Sequence, residues 1–186
     1  TATGGSLDLA ISGSGLFIIS PDGGNSFLYT RAGNFSINSG GNLTSNGQQV
    51  YGLNSSGAVV PISGLPSGNK SNYRWQADGS LEYSADGVTF TGTGYRIALT
   101  YFANPGGLAQ AQGTSFAETM ASGSAAAAQA PGGAVGTILP GQIEQSNVFF
   151  LGESINQLEI QRALSANLSV VKMASDLISS FIQKLG

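Results

Sequence analysis

Asp78, Glu82 and Asp86 stand four residues apart along the chain. A pair of carboxylates is what glycoside hydrolysis requires, one as acid and one as base or nucleophile. Asp78 and Asp86, however, each precede a glycine, and in an Asp-Gly turn the carboxylate bonds to its own backbone. Two capped turns with a solvated Glu82 between them account for the three acids more cheaply than catalysis does. Gly13-Ser14-Gly15 and Gly92-Thr93-Gly94 supply a G-x-G, but neither has the third glycine of a dinucleotide loop or a helix pattern after it. They read as turn glycines. Trp75 with Tyr73 and Tyr83 suits either a sugar-stacking platform or cross-strand core packing. Arg31 lies in an almost uncharged stretch. It is either a surface cation or a structural arginine tying the first hairpin to carbonyls or to a carboxylate such as Glu118.

The chain contains no His and no Cys. Ser-His-Asp and Cys-His nucleophile systems are therefore excluded within it. So are ordinary His/Cys zinc sites, thiol redox centres and structural disulfides. No Ca-loop pattern of alternating Asp/Asn ligands is present. No catalytic residue, cofactor or metal ligand is expected. Seven Lys/Arg and ten Asp/Glu give a net charge of −3. The seven cations are scattered, so the clustered charge that displaces counterions from nucleic acid is missing. No run of eighteen apolar residues exists, and no membrane insertion is expected. The charged fraction is 9%, where about 25% is usual. The chain opens on Thr1 with no initiator Met and no signal-peptide pattern. The expectation is a piece cut from something longer.

The elements that position these residues change character along the sequence. Up to residue 120 the signals are β. Leu7, Leu9 and Ile11 alternate with polar or small residues, and Leu16-Phe17-Ile18-Ile19 is a short apolar run bounded by turn residues. Phe27 to Thr30 reads as its hairpin partner. Asp22-Gly23, Asn46-Gly47, Ser56-Gly57, Asp78-Gly79 and Asp86-Gly87 mark tight turns. Between them lie short strands at 49–53, 58–62, 73–77 and 81–83, and a longer one from Tyr95 to Phe102. The fold class expected is mainly β, an antiparallel all-β domain over 1–120. Residues 121–143 are Ala- and Gly-rich and read as an extended connector rather than a packed helix.

Residues 144–186 shift to a helical period. Ile160, Leu164, Asn167, Val171, Ala174, Ile178, Phe181 and Leu185 form a seam with alternating spacings of four and three. Leu168, Leu177 and Ile182 widen it. No Pro or Gly interrupts 153–185, so a helix of about 30 residues would run about 45 Å. Such a face seeks either the chain's own sheet or another helix. Its length and width favour intermolecular coiled-coil packing, with Asn167 setting register.

Several strings together resemble one family. Leu7-Asp8-Leu9-Ala10-Ile11 with Gly13 and Gly15-Leu16-Phe17 resembles the opening of the bacterial flagellar rod and hook proteins. Tyr29-Thr30-Arg31-Ala32-Gly33-Asn34-Phe35 is similar to their YTRAGNF string. Phe102 with Asn104-Pro105 and Gly107-Leu108 resembles F-x-NP-x-GL. Phe116 with Glu118-Thr119 and Ser122-Gly123 resembles F-x-ET-x-x-SG. Gly141 with Glu144 and Ser146-Asn147-Val148, then Gln161-Arg162-Ala163 and Ala166-Asn167, are similar to the terminal-helix strings. The resemblance implies a structural subunit of the rod or hook that assembles helically into a torque-transmitting tube. It implies self-assembly, neighbouring axial proteins and the flagellar export apparatus as partners. It implies export without a signal peptide, to the basal body or the hook. It also implies a preceding N-terminal helix that pairs with the terminal one. Rod and short hook members both remain open, and the alternative from another class is a secreted β-rich adhesin or carbohydrate-binding module.

Overall fold

The computed structural model describes residues 2–144. The chain divides into two units, Thr1–Gln145 and Ser146–Gly186; the second, with the expected terminal helix, lies outside the described residues. Among the described residues there are fourteen strands, three single-turn 3-10 helices and no α-helix. The strands are β1 (Leu9–Ser12), β2 (Leu16–Ser20), β3 (Leu28–Thr30), β4 (Ser36–Ile37), β5 (Leu43–Ser45), β6 (Gln48–Leu53) and β7 (Val59–Pro61). They continue with β8 (Tyr73–Trp75), β9 (Ser80–Tyr83), β10 (Thr91–Ile97), β11 (Leu99–Thr100), β12 (Ala109–Gln110), β13 (Ser115–Ala117) and β14 (Thr137–Pro140). The described unit is thus mainly β, and its strand pairs are antiparallel.

The main sheet follows the order β12-β13-β3-β2-β6-β10-β9-β8, with β11 also on β2, β5 between β4 and β6, and β7 on β6. A separate ribbon pairs β1 with β14. Asn46 (φ 49°) and Gly47 (φ 81°) both take positive φ in the two-residue turn joining β5 to β6. That is the demand of a type I′ hairpin, which Asn-Gly meets at least cost.

β2 organises the core. All five of its residues are buried, which is why its sequence runs apolar without alternating. Phe17 and Ile19 enter one cluster with Leu9, Phe35, Val50, Trp75 and Leu99. Leu16 and Ile18 enter a second cluster with Tyr29, Tyr51, Leu53, Ala98 and Phe102. Burying one such side chain contributes about 1.5–3 kcal/mol.

The second cluster is closed by the Ala-rich stretch. Ala125, Ala128 and Ala130 pack against it. Leu99 and Gln129 exchange backbone bonds of 2.9 Å, Ala126 N–H donates to Tyr101 O at 3.0 Å, and Thr100 Oγ1 donates to Ala126 O at 2.7 Å. Ala125–Ala130 thus covers this cluster, while farther on Gly133–Val135 forms a 3-10 turn and Thr137–Pro140 pairs with β1. Small side chains let this backbone come close enough to bond.

One expected element divides. The run from Tyr95 to Phe102 is not a single strand. Ile97 pairs with Gly52 on β6, whereas Leu99 pairs with Phe17 on β2. The chain changes partner at the buried Ala98, and each side of the break serves a different neighbour.

Candidate functional site

A polar arrangement joining residues distant in sequence surrounds Arg31, just past β3. Its position follows from close packing. Phe35 is fully buried, edge-on to Phe17 with ring centroids 5.0 Å apart. Leu9 N–H donates to Gly33 O at 2.9 Å. A Cβ on Gly33 would stand 1.8 Å from Leu9 O, so glycine is required for the chain to wrap β1 there. The wrap delivers Arg31 to the loop between β1 and β2.

The guanidinium serves two carbonyls of that loop, one of β1 and one carboxylate. Nη1 donates to Gly15 O at 3.2 Å, and Nη2 to Gly13 O at 2.9 Å and Ile11 O at 3.4 Å. Nε donates to Glu144 Oε2 at 2.7 Å. A planar fork with several fixed donors suits this convergence, and a lysine would not reproduce it. From the other side, Gly15 N–H donates to Val135 O at 2.9 Å and Ser14 Oγ to Ala134 O at 3.1 Å. The loop is thus held between Arg31 and the segment leading into β14.

Arg31 and Glu144 side chains are 33% and 35% exposed. At that exposure the ion pair alone contributes about 0–1 kcal/mol. The carbonyl bonds add to it because the strand-end oxygens would otherwise lack partners.

The two ends of the described unit meet beside this clamp. Ala2 bridges Gln142 antiparallel. Thr3 N–H donates to Gly141 O at 3.0 Å, and Gly141 N–H donates to Asp8 O at 2.8 Å. The Thr3 hydroxyl also donates to the Asp8 carboxylate. Ala2 and Gln142 therefore lie one strand spacing apart.

Arg31 does not meet Glu118. Glu118 accepts from Ala125 N–H at 3.0 Å and fixes the start of the Ala-rich cover. Glu144 is the carboxylate that sequence reasoning did not pair with Arg31. Both lie in strings already singled out, but a separation of 113 residues leaves no local signal for the pairing. The seam residues Ile160, Leu164, Asn167, Val171, Ala174, Ile178, Phe181 and Leu185 lie outside the described residues.

The other candidates resolve as structural. Trp75 and Tyr73 are buried, and Trp75 Nε1 donates to Leu7 O at 3.1 Å. They offer no exposed stacking platform. Asp86 accepts from Ser84 Oγ and from Val88 and Thr89 N–H; these bonds hold its carboxyl well below the usual range. Ser80 bonds lower Asp78, aided by Arg96. Gln76 and Arg74 lower Glu82. All three shifts favour the ionised form, opposite to what a general acid needs. Among the described residues no group of three or more His, Cys, Asp or Glu could hold a metal. No helix there is long and apolar enough to cross a membrane. The site can grip backbone and fix directions, and it presents no reactive group.

Comparison with known proteins gives consistent matches. Residues 10–73 match the family model described as the flagellar hook protein FlgE/F/G D1 domain. The chain is 31% identical over 183 residues to the flagellar basal-body rod protein FlgG of Bacillus subtilis, covering 97% of this chain and 66% of that protein. It is 33% identical over 185 residues to FlgG of Caulobacter vibrioides, covering 98% and 66%. The flagellar hook protein FlgE of Borreliella burgdorferi is 31% identical over 88 residues, covering 47% of this chain and 20% of that protein. The chain thus spans 66% of the length of these rod relatives.

Proposed function

The chain belongs to the family of flagellar rod and hook proteins, and we propose that it is a structural subunit of the rod that assembles helically into a tube and transmits motor torque without catalysis. The observation that carries this is the 31–33% identity to rod relatives along 97–98% of the chain. Heterologous contacts between such subunits propagate as filaments. The rod is preferred to the hook because the rod relatives match along 97–98% of the chain and the hook relative along 47%.

On this reading the seam from Ile160 to Leu185 is the coiled-coil face of the core. Partners are further copies, neighbouring axial proteins and the export apparatus, and the subunit is exported to the basal body. Electron microscopy of the full chain should show tubes. Ile178→Asp with Phe181→Asp should abolish them, with the circular dichroism and Trp75 emission of the β unit unchanged. Normal assembly by that variant would sink the coiled-coil assignment.

A further inference from the structure

Two of the strings singled out in the sequence fold into one object. The turn at Asn104–Leu108 and the turn at Thr119–Ser122 interlock. Asn104 donates from Nδ2 to Ala121 O at 3.0 Å and from N–H to Ser122 O at 3.4 Å. Thr119 Oγ1 donates to Gly107 O at 2.6 Å. A Cβ on Gly107 would stand 2.5 Å from Ala121 C, so the contact requires glycine. Within the second turn Thr119 N–H donates to Ser122 Oγ at 2.9 Å and Ser122 N–H to Thr119 Oγ1 at 3.2 Å. At its tip stands Met120, with a relative exposure of 104%.

We propose that this double turn is a contact between copies of the chain, with Met120 buried on the surface of the adjoining copy. The proposal rests on the self-assembly reading above. Met120 contributes nothing to the core of its own unit, yet the turn beneath it is braced by five hydrogen bonds to known partners. A braced turn binds without the cost of ordering a loop. A flexible thioether moulds to an uneven surface. The flanking residues are uncharged, and Glu118 is bonded to Ala125 N–H. The size of the contact selects its partner. Burying one methionine is worth roughly tenfold to a hundredfold in an equilibrium constant. That is too little to hold a free partner, but it becomes decisive when helical symmetry repeats it on every subunit.

The chain has no Cys, so Met120→Cys in the full chain gives a unique handle. Labelled with a maleimide benzophenone and illuminated, it should yield two-chain adducts in tubes and none before assembly. Met120→Asp should lower the assembled fraction at least tenfold with an unchanged melting temperature, and Met120→Leu should assemble normally. Tubes that form equally well from Met120→Asp, or that give only intrachain adducts, overturn the contact. A wild-type chain that forms no tubes overturns the self-assembly reading and the contact with it.

Discussion

β2 and β10 belong to one sheet and live under opposite conditions. All of β2 is buried, with a side-chain cluster on each face. β10 runs exposed or half-buried until Ile97, and its register against β9 shifts between Gly92 and Arg96. The glycines mirror this. Gly33 lies against the carbonyl of Leu9, whereas a Cβ on Gly92 would meet nothing within 4 Å. Around β2 the backbone is gripped by neighbours distant in sequence. Around β10 the turns hold themselves, through Asp78 and Asp86 and their own loop amides. One region is determined by what surrounds it and the other by its local chemistry.

The difference can be broken most severely at the glycines. Gly33→Ala should cost about 3 kcal/mol or more, because the added carbon overlaps a backbone oxygen. Gly92→Ala should stay within about 0.5 kcal/mol, since it meets nothing. Equal losses in chemical denaturation would remove the distinction. Arg31→Ala is the next largest, at about 1–2 kcal/mol, since several carbonyls lose a donor and one carboxylate loses its cation. For a unit of this size that lowers the melting temperature by several degrees. An unchanged transition would reduce Arg31 to a surface cation.

Acid should sharpen the contrast with the smallest effect. Hydrogen bonds from Ser26, Ser20 and Asn25 lower the Asp22 carboxyl from 3.8 to about 2. Asp78, Glu82 and Asp86 are also lowered. A carboxylate lowered by folding contributes its full stability above its unfolded value and loses it as pH falls through the folded one. Melting temperature should therefore hold steady from pH 7 to about 5 and fall between about pH 4 and 2. Three of these four acids lie between residues 78 and 86, so amide exchange there should accelerate before exchange in β2 does. Simultaneous acceleration would show that the two regions open as one.

What was legible in the sequence follows the same division. Asn46-Gly47 and Asp86-Gly87 announce turns because the dipeptide itself supplies the conformation. The unbroken apolar run of β2 announces a buried strand. Periodicity reports that a face is covered, however, and does not name the cover. The β1–β14 ribbon, the Ala125–Ala130 lid and the Arg31–Glu144 pair each join residues more than about a hundred positions apart or strands of two to five residues. Nothing local encodes those partners. The break at Ala98 was hidden for the same reason, since both sides of it are apolar and only the neighbours differ.

The bridge between Ala2 and Gln142 has a mechanical consequence. Paired strands lie about 5 Å apart. The described unit therefore spans only that gap, although it contains some 140 residues. A force applied between Ala2 and Gln142 would act across that short gap and bypass the sheet. The loops of the β unit can therefore lengthen or shorten without changing the spacing between those two residues.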